Sequence, residues 1–397
     1  MILSSTRLAP QFLLDPEVTF LNHGSFGACP KPVFDAYQAW QLKLERQPVA
    51  FLDPDRGYAS WMHDSRKALA AVVGARPDDI VGVLNATVGL NIVAQSLPLQ
   101  PGDEILTTDH EYAALEKTWA YVARRTGALV RVVEVPLPLV SEEAYTQALL
   151  SAMTPRTRVL FLSHITSPTA LLFPIKAAVE EARQRGIWTV IDGAHTPGHI
   201  PLDLTALGAD FYAGNCHKWL MAPKGSAFLH VRTELQDIIN PLVISHGWTA
   251  NRVEPGPFGG TSFIDAVEFQ GTRDPAAWLT VPDAILFRQN NDWDAVARDC
   301  QTMAQETAAR VAQFTGLEPF SRAEFCAPQM VAMPVPCTDP IVLKQDLLSR
   351  YGIEIPCFDW KDAYTIVRLS VQGYNTCRQM DMLVEALIDI LNLTKAA

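Results

Sequence analysis

Lys218 stands in the run Gly214-Asn215-Cys216-His217-Lys218-Trp219-Leu220-Met221, among turn-forming and aromatic residues just beyond an apolar stretch. Upstream, the apolar segment Trp188-Thr189-Val190-Ile191 ends in Asp192-Gly193-Ala194-His195. An acid at the end of one strand and a lysine just after the next suit pyridoxal phosphate. The amine forms a Schiff base with its aldehyde, and the carboxylate keeps its pyridine nitrogen protonated. A phosphate needs a cluster of donors, and the turn Asn85-Ala86-Thr87-Val88-Gly89 supplies backbone N–H groups and the Thr87 hydroxyl at the start of a helical pattern. No G-x-G-x-x-G follows a strand, and Ala222-Pro223-Lys224-Gly225-Ser226 lacks the spacing of a nucleotide P-loop, which demotes NAD and ATP.

The elements that must position these residues alternate. Short β-rich runs at Ile80–Leu84, Glu104–Thr107, Leu129–Val135, Val159–Ser163, Trp188–Ile191, Phe211–Gly214 and Ala227–Val231 are separated by helical spacing at Leu90–Leu97, Ala113–Arg125, Glu142–Leu150 and Ile175–Arg185. That alternation predicts a parallel sheet with crossover helices. Ser141 ahead of Glu142 and Glu143 is a helix N-cap with first-turn acids. Residues 236 to 280, rich in Gly, Pro, Trp and Thr, read as irregular linking structure. A long helix over Asp283–Phe314 then leads to β-like Gln329–Met333 and Ile366–Ser370 and a final amphipathic helix from Arg378 to Leu393, a smaller α+β part.

With 397 residues the chain exceeds one ordinary core, so a large and a smaller domain are expected. Its 32 basic and 43 acidic residues leave a formal charge of −11 without a block of either sign, which argues against a nucleic-acid partner. Seven cysteines form no CxxC pair, so neither a metal site nor a disulfide framework is suggested. No run approaches the roughly 18 to 20 apolar residues of a membrane helix, and the first residues lack a signal peptide's apolar stretch. A cytoplasmic protein without a membrane partner is the expectation.

The chain resembles the fold-type I pyridoxal-phosphate enzymes of the class V aminotransferase group, in the branch around isopenicillin N epimerase. Seven ordered blocks carry the resemblance over nearly the whole chain: Leu21-Asn22-His23-Gly24-Ser25-Phe26-Gly27, Asp109-His110-Glu111-Tyr112, Ser163-His164-Ile165-Thr166-Ser167-Pro168-Thr169, Asp192-Gly193-Ala194-His195, Asn215-Cys216-His217-Lys218-Trp219, Gly271-Thr272-Arg273-Asp274, and Arg368-Leu369-Ser370-Val371-Gln372-Gly373-Tyr374-Asn375. It implies an α/β fold with a mostly parallel seven-stranded sheet in a large domain (21–280), a smaller C-terminal α+β domain (281–397), and an N-terminal segment (1–20) packing on the latter.

The resemblance also implies roles. Lys218 looks like the Schiff-base lysine and proton carrier at Cα, and Asp192 like the partner of the pyridine nitrogen, with a carboxyl held low by the cationic ring. His195 matches a donor to the cofactor's phenolic oxygen, His217 a phosphate ligand beside Ala86 and Thr87, and Asn215 a position often held by a phosphate-binding Ser or Thr. Tyr112 is the candidate for the ring stacked on the cofactor, with His110 as alternative, and His164 stands where relatives carry Asn near the cofactor. Thr272 would reach across a homodimer to the partner's phosphate, making a shared active site. Arg368 resembles the clamp on a substrate α-carboxylate, with Asn22, His23 and Gly24 lining the entrance. Loops 22–27, 51–61 and 246–263, with Phe51, Tyr58, Trp61, His246, Trp248 and Phe258, are expected to shape the substrate pocket.

The resemblance implies an enzyme acting at Cα of a small-molecule amino acid through an external aldimine, and several outcomes share that chemistry. Epimerisation needs Lys218 on one face and a second donor, Tyr112, His110 or a water, on the other. A carbon–sulfur β-lyase needs only Lys218 and a route for the leaving thiol. Cys357 lies too close to Arg368 for the mobile loop of a cysteine desulfurase, so that reading, like an aminotransferase or a binding protein without catalysis, ranks below these two.

Overall fold

The computed structural model describes residues 8–394. Its strands are β1 (Thr19–Phe20), β2 (Ile80–Val83), β3 (Glu104–Thr108), β4 (Leu129–Val133), β5 (Thr157–Ser163), β6 (Trp188–Gly193), β7 (Phe211–Asn215), β8 (Ala227–Val231), β9 (Met330–Val335), β10 (Ile353–Glu354), β11 (Cys357–Trp360) and β12 (Tyr364–Ser370). β2 to β8 form one sheet in the order β2-β8-β7-β6-β5-β3-β4. Only β8 runs against the rest, pairing antiparallel with β7 and β2. These are the seven strands expected from the sequence, and the mostly parallel α/β architecture follows.

Apart from the edge strand β4, which is largely exposed, the strands read as continuous apolar runs because both faces are covered. In β5, Leu160 and Leu162 enter one core while Val159 and Phe161 enter the other, the period-2 alternation of a strand. Helices Ala86–Ser96, Ala113–Thr126, Glu142–Ala152 and Lys176–Gln184 supply the crossovers. Ser141 caps its helix by accepting from Ala144 N–H at 3.0 Å. Loops leaving the carboxyl ends of β5, β6 and β7 gather on one edge of the sheet, where α/β folds place their ligands.

A second sheet, β11-β12-β9, is antiparallel and packs with helices Trp293–Thr315, Pro340–Tyr351 and Cys377–Leu391. β1 pairs with β10, and Phe12 sits edge-on to Tyr374 with centroids 4.8 Å apart, tying residues 8–20 to the C-terminal part. Residues 1–7 of the expected N-terminal segment lie outside the described residues.

Two expectations need correction. The helix expected over 283–314 is two, Val281–Asn290 and Trp293–Thr315, because Asp292 takes a left-handed turn at φ 47° that Asn and Asp tolerate best. Burial of Trp293 against Phe287, with ring centroids 5.8 Å apart, fixes the break. The stretch 236–280 is not wholly irregular: Ser262–Glu268 is a buried helix whose N-cap, Thr261, accepts from Ile264 N–H.

Candidate active site

A cavity of about 710 Å³ opens at the carboxyl ends of β5, β6 and β7, lined by Lys218, Asp192, His195, His217, Asn215, Ala86, Thr87 and Tyr112, with Ser25, Phe26, Ser163, Ile165, Ser167 and Lys224. Each polar group is there because a strand ends and the chain turns. Asp192 and Asn215 belong to the last residues of β6 and β7, and Lys218 follows β7 by three residues. Gly27 brings the loop with Ser25 and Phe26 against them. It adopts φ 70°, and a Cβ there would meet the His217 carbonyl at 1.9 Å, so only glycine permits the approach.

Lys218 is half-buried, and its amine is lowered to about 7 by desolvation first and by Arg368 second, opposed by Asp192. A free amine is therefore abundant near neutral pH, the form that attacks an aldehyde. Its Nζ lies 3.0 Å from His195 Nε2. Burial, with Lys218 and Arg368 adding to it, pushes His195 well below its ordinary range, so the ring is neutral. Asp192 takes Ala194 N–H on Oδ1 at 2.9 Å, and its other oxygen has no donor among the described residues. The sequence suggested a carboxyl held low. In the protein alone burial raises it, and Ala194 N–H and Lys218 only partly offset that rise. The depressing charge expected from the sequence belongs to the ligand ring, which a cationic pyridine nitrogen fits.

At the helix Ala86–Ser96, Asn85 caps Val88 N–H at 2.9 Å, and Asn215 Oδ1 takes Ala86 N–H at 2.8 Å. Ala86 therefore contributes no free donor, and Asn215 acts partly as a second cap. Thr87, with its N–H and hydroxyl, is the first-turn residue left to bind an anion. His217 Nδ1 pairs with the Ser226 carbonyl at 3.2 Å. Burial, and then Lys218, lower its pKa to about 4, so holding a phosphate through Nε2 requires the ring to take up a proton. Lys224, which donates to the Gly27 carbonyl at 2.9 Å, adds a cation that the sequence reading passed over after rejecting the P-loop.

Arg368 on β12 is buried, donating to the Ser167 carbonyl, to Ser167 Oγ at 3.2 Å and to Ser25 Oγ at 2.9 Å. Its Nε has no partner, and no carboxylate pairs with it among the described residues. Burial lowers it to about 10, so it remains a cation at neutral pH. A buried cation without an acid is costly, and Ser25 and Ser167 place it one layer behind the cavity wall.

Other expected residues fall elsewhere. His110 is fully buried, 2.7 Å from Thr169 Oγ1 and packed on Trp360, and does not line the cavity. Tyr112, 45 % exposed, stands at the mouth instead. His164 faces away, with Nδ1 3.0 Å from Tyr212 Oη, because Ser163 and Ile165 hold the cavity side of the alternating chain. His23 pairs with Tyr374 and the Lys218 carbonyl, Asn22 with Glu354, and Gly24 packs on Met330 and Ser370; Ser25 and Phe26 form the entrance in their place. Loops 51–61 and 246–263 supply Tyr58 and Phe258 to a different cavity of about 490 Å³. Phe51 and Trp61 pack together with Trp40. Thr272 is exposed and does not line this cavity.

Glu111 was not singled out by the sequence. It is buried, accepting from Thr108 Oγ1 at 2.6 Å and Ser163 Oγ at 2.5 Å, and burial pushes its carboxyl up to about 8. A raised folded pKa means that the stability it lends is complete below about 4.5 and is lost as pH rises towards 8. Glu111→Gln is therefore expected to gain on wild type by about 4 kcal/mol between pH 4.5 and 8. Urea unfolding at both pH values checks this, and parallel pH curves for the two proteins would contradict it.

A mostly parallel sheet with a half-buried lysine, a strand-end carboxylate and a helix start gathered at one edge is the arrangement of a pyridoxal 5'-phosphate-dependent enzyme of fold type I. The chain belongs to the aminotransferase class-V family, whose profile matches residues 28–383. It is 38% identical over 389 residues to an isopenicillin N epimerase of Amycolatopsis lactamdurans, covering 96% of this chain and 97% of that one. It is 29% identical over 409 residues to a probable chloroplastic L-cysteine desulfhydrase of Arabidopsis thaliana, covering 94% and 83%. Among solved structures, the cysteine desulfurase CsdA of Escherichia coli superposes with a TM-score of 0.81 at 23% identity, covering 99% of this chain and 100% of that one, a likeness of fold.

Proposed function

We propose that this chain is an amino-acid epimerase of the isopenicillin N epimerase type, working as a cytoplasmic homodimer. The observation that carries the reading is the pairing of an amine lowered to about 7 in the cavity (Lys218) with a buried cation just behind its wall that has no carboxylate partner among the described residues (Arg368). That combination suits a substrate with an acidic Cα–H and an α-carboxylate. When bound, pyridoxal 5'-phosphate supplies the electron sink that acidifies Cα–H. In this reading Asp192 faces its ring nitrogen, Thr87, His217 and Asn215 its phosphate, and Tyr112 its open face. Arg368 holds the carboxylate through its planar fork. Lys218 takes the proton from Cα, and Tyr112 or a water it orients returns one to the opposite face. The exposed position of Thr272 suits a reach into a partner's site.

The 38% identity with the Amycolatopsis epimerase supports epimerisation. A carbon–sulfur β-lyase is the second reading, favoured by the desulfhydrase relatives. A persulfide-forming desulfurase has no thiol to use: no cysteine lines the cavity, and burial pushes the Cys357 thiol up to about 12.

Incubating the cofactor-loaded protein in deuterated water with a panel of amino acids separates the two. Epimerisation gives deuterium at Cα with mixing of D and L forms, whereas elimination gives pyruvate or another keto acid. A panel that yields neither sinks both readings.

A further inference from the structure

Behind Lys218 lies a chain of buried groups whose hydrogen bonds run one way. Gln329, just before β9, donates its backbone N–H to His199 Nε2 at 2.9 Å. A backbone N–H cannot accept, so neutral His199 carries its proton on Nδ1 and gives it to the His195 carbonyl at 3.0 Å. The His199 ring stacks on Trp219, with centroids 3.9 Å and planes 20° apart. Held in that stack, Trp219 Nε1–H donates to His195 Nδ1 at 3.3 Å. An indole N–H is also a donor only. With Nδ1 occupied as an acceptor, the single proton of a neutral His195 ring sits on Nε2, the nitrogen facing Lys218 Nζ.

We propose that Trp219 is a positioning residue that locks His195 as an Nε2–H donor, so that the reactive end of the cavity presents a donor to Lys218 and to any ligand oxygen beside it. An ammonium offers only donors and would meet His195 N–H head-on, whereas the free amine has a lone pair to receive it. The lock therefore favours the nucleophilic form of the lysine. The charged groups that also act on Lys218 are Arg368 from β12, which disfavours the ammonium, and Asp192 from β6, which favours it. Trp219 does not line the cavity. It acts through His195, supported by His199 from the loop after β6 and, behind that, by Gln329 from the C-terminal part of the chain. The functional weight of the lock rests on Lys218 being the reactive amine, but the tautomer follows from the hydrogen bonds alone.

Two measurements test it. In cofactor-stripped full-length protein, the rate of pyridoxal 5'-phosphate uptake is followed against pH. Trp219→Phe keeps a ring in the stack but removes the N–H. Its uptake midpoint is expected to rise by about one pH unit, roughly tenfold less free amine at a given acidic pH. In a His195→Gln background, where no tautomer exists, the same substitution should give no shift. Equal shifts in both backgrounds, or none in either, would overturn the proposal. The second measurement needs no variant at Trp219. Wild-type protein with ¹⁵N-labelled histidine, its His195 signals assigned by their loss in His195→Gln, should show a protonated Nε2 and a bare Nδ1. A protonated Nδ1 refutes the lock even where Trp219→Phe fails to fold. A wild type that takes up no pyridoxal 5'-phosphate instead defeats the proposed function, and the NMR result still judges the tautomer.

Discussion

Lys218→Met is expected to abolish the visible absorption that the wild type should gain with pyridoxal 5'-phosphate, and to lower turnover by about 10³-fold or more. The side chain keeps its length and loses only the amine, so both the covalent attachment and the proton carrier go while the packing stays. General acid–base groups alone contribute about 10² to 10⁴ in rate, which sets the scale. A second consequence has the opposite sign. Folding lowers the Lys218 amine from its ordinary value to about 7, so the protein carries the full cost of burying an ammonium below pH 7 and sheds it as pH rises towards 10.5. The cofactor-free Met variant should thus be more stable than wild type at pH 6, on the order of 3 kcal/mol, with the gap closing by pH 10. Absorbance titration and chemical denaturation read the two effects separately. A variant that keeps the visible band would remove Lys218 from its assigned place.

Much of this site was legible in the sequence because fold type I chemistry sits where strands stop. Apolar runs made β2 to β8 readable, most of them buried on both faces, and the polar residues at or shortly beyond the strand ends, Thr87, Asp192, His195, Asn215, His217 and Lys218, line the cavity. The misreadings have local causes. His164 failed on parity, since a strand that turns Ser163 and Ile165 to the cavity must turn His164 away. Asn22 to Gly24 gave way to Ser25 and Phe26 because the path of that loop is fixed by a left-handed Gly27 pressed on the His217 carbonyl. His110, the alternative to Tyr112, stays off the cavity because its ring is clamped beside Thr169 and Trp360, partners far away in sequence. Arg368 stood out in the sequence, but Ser25 and Ser167, to which it donates, did not. The Trp219 and His199 stack belongs to the same class, a tertiary arrangement with no spacing to announce it.

Arg368→Lys should raise KM for the amino-acid substrate by roughly 10², with a smaller change in kcat. The substitution preserves the charge, so any loss measures geometry. Arg368 is 2 % exposed, its guanidinium held between Ser25 and Ser167 and over the Phe358 ring at 5.3 Å. A planar fork can keep those serine bonds on some N–H groups while turning others to a carboxylate; a lysine ammonium has three donors on one nitrogen and cannot span both. Losing one or two charge-assisted hydrogen bonds, at about 1.5 to 3 kcal/mol each, gives about 3 kcal/mol, hence the two orders of magnitude. Because the lost interaction serves the carboxylate alone, discrimination between an amino acid and the amine lacking that carboxylate should fall by a similar factor. Steady-state kinetics on the pair of substrates decides the matter. Unchanged discrimination with a lowered kcat would mean that Arg368 acts on Lys218, whose pKa it depresses, and not on the substrate.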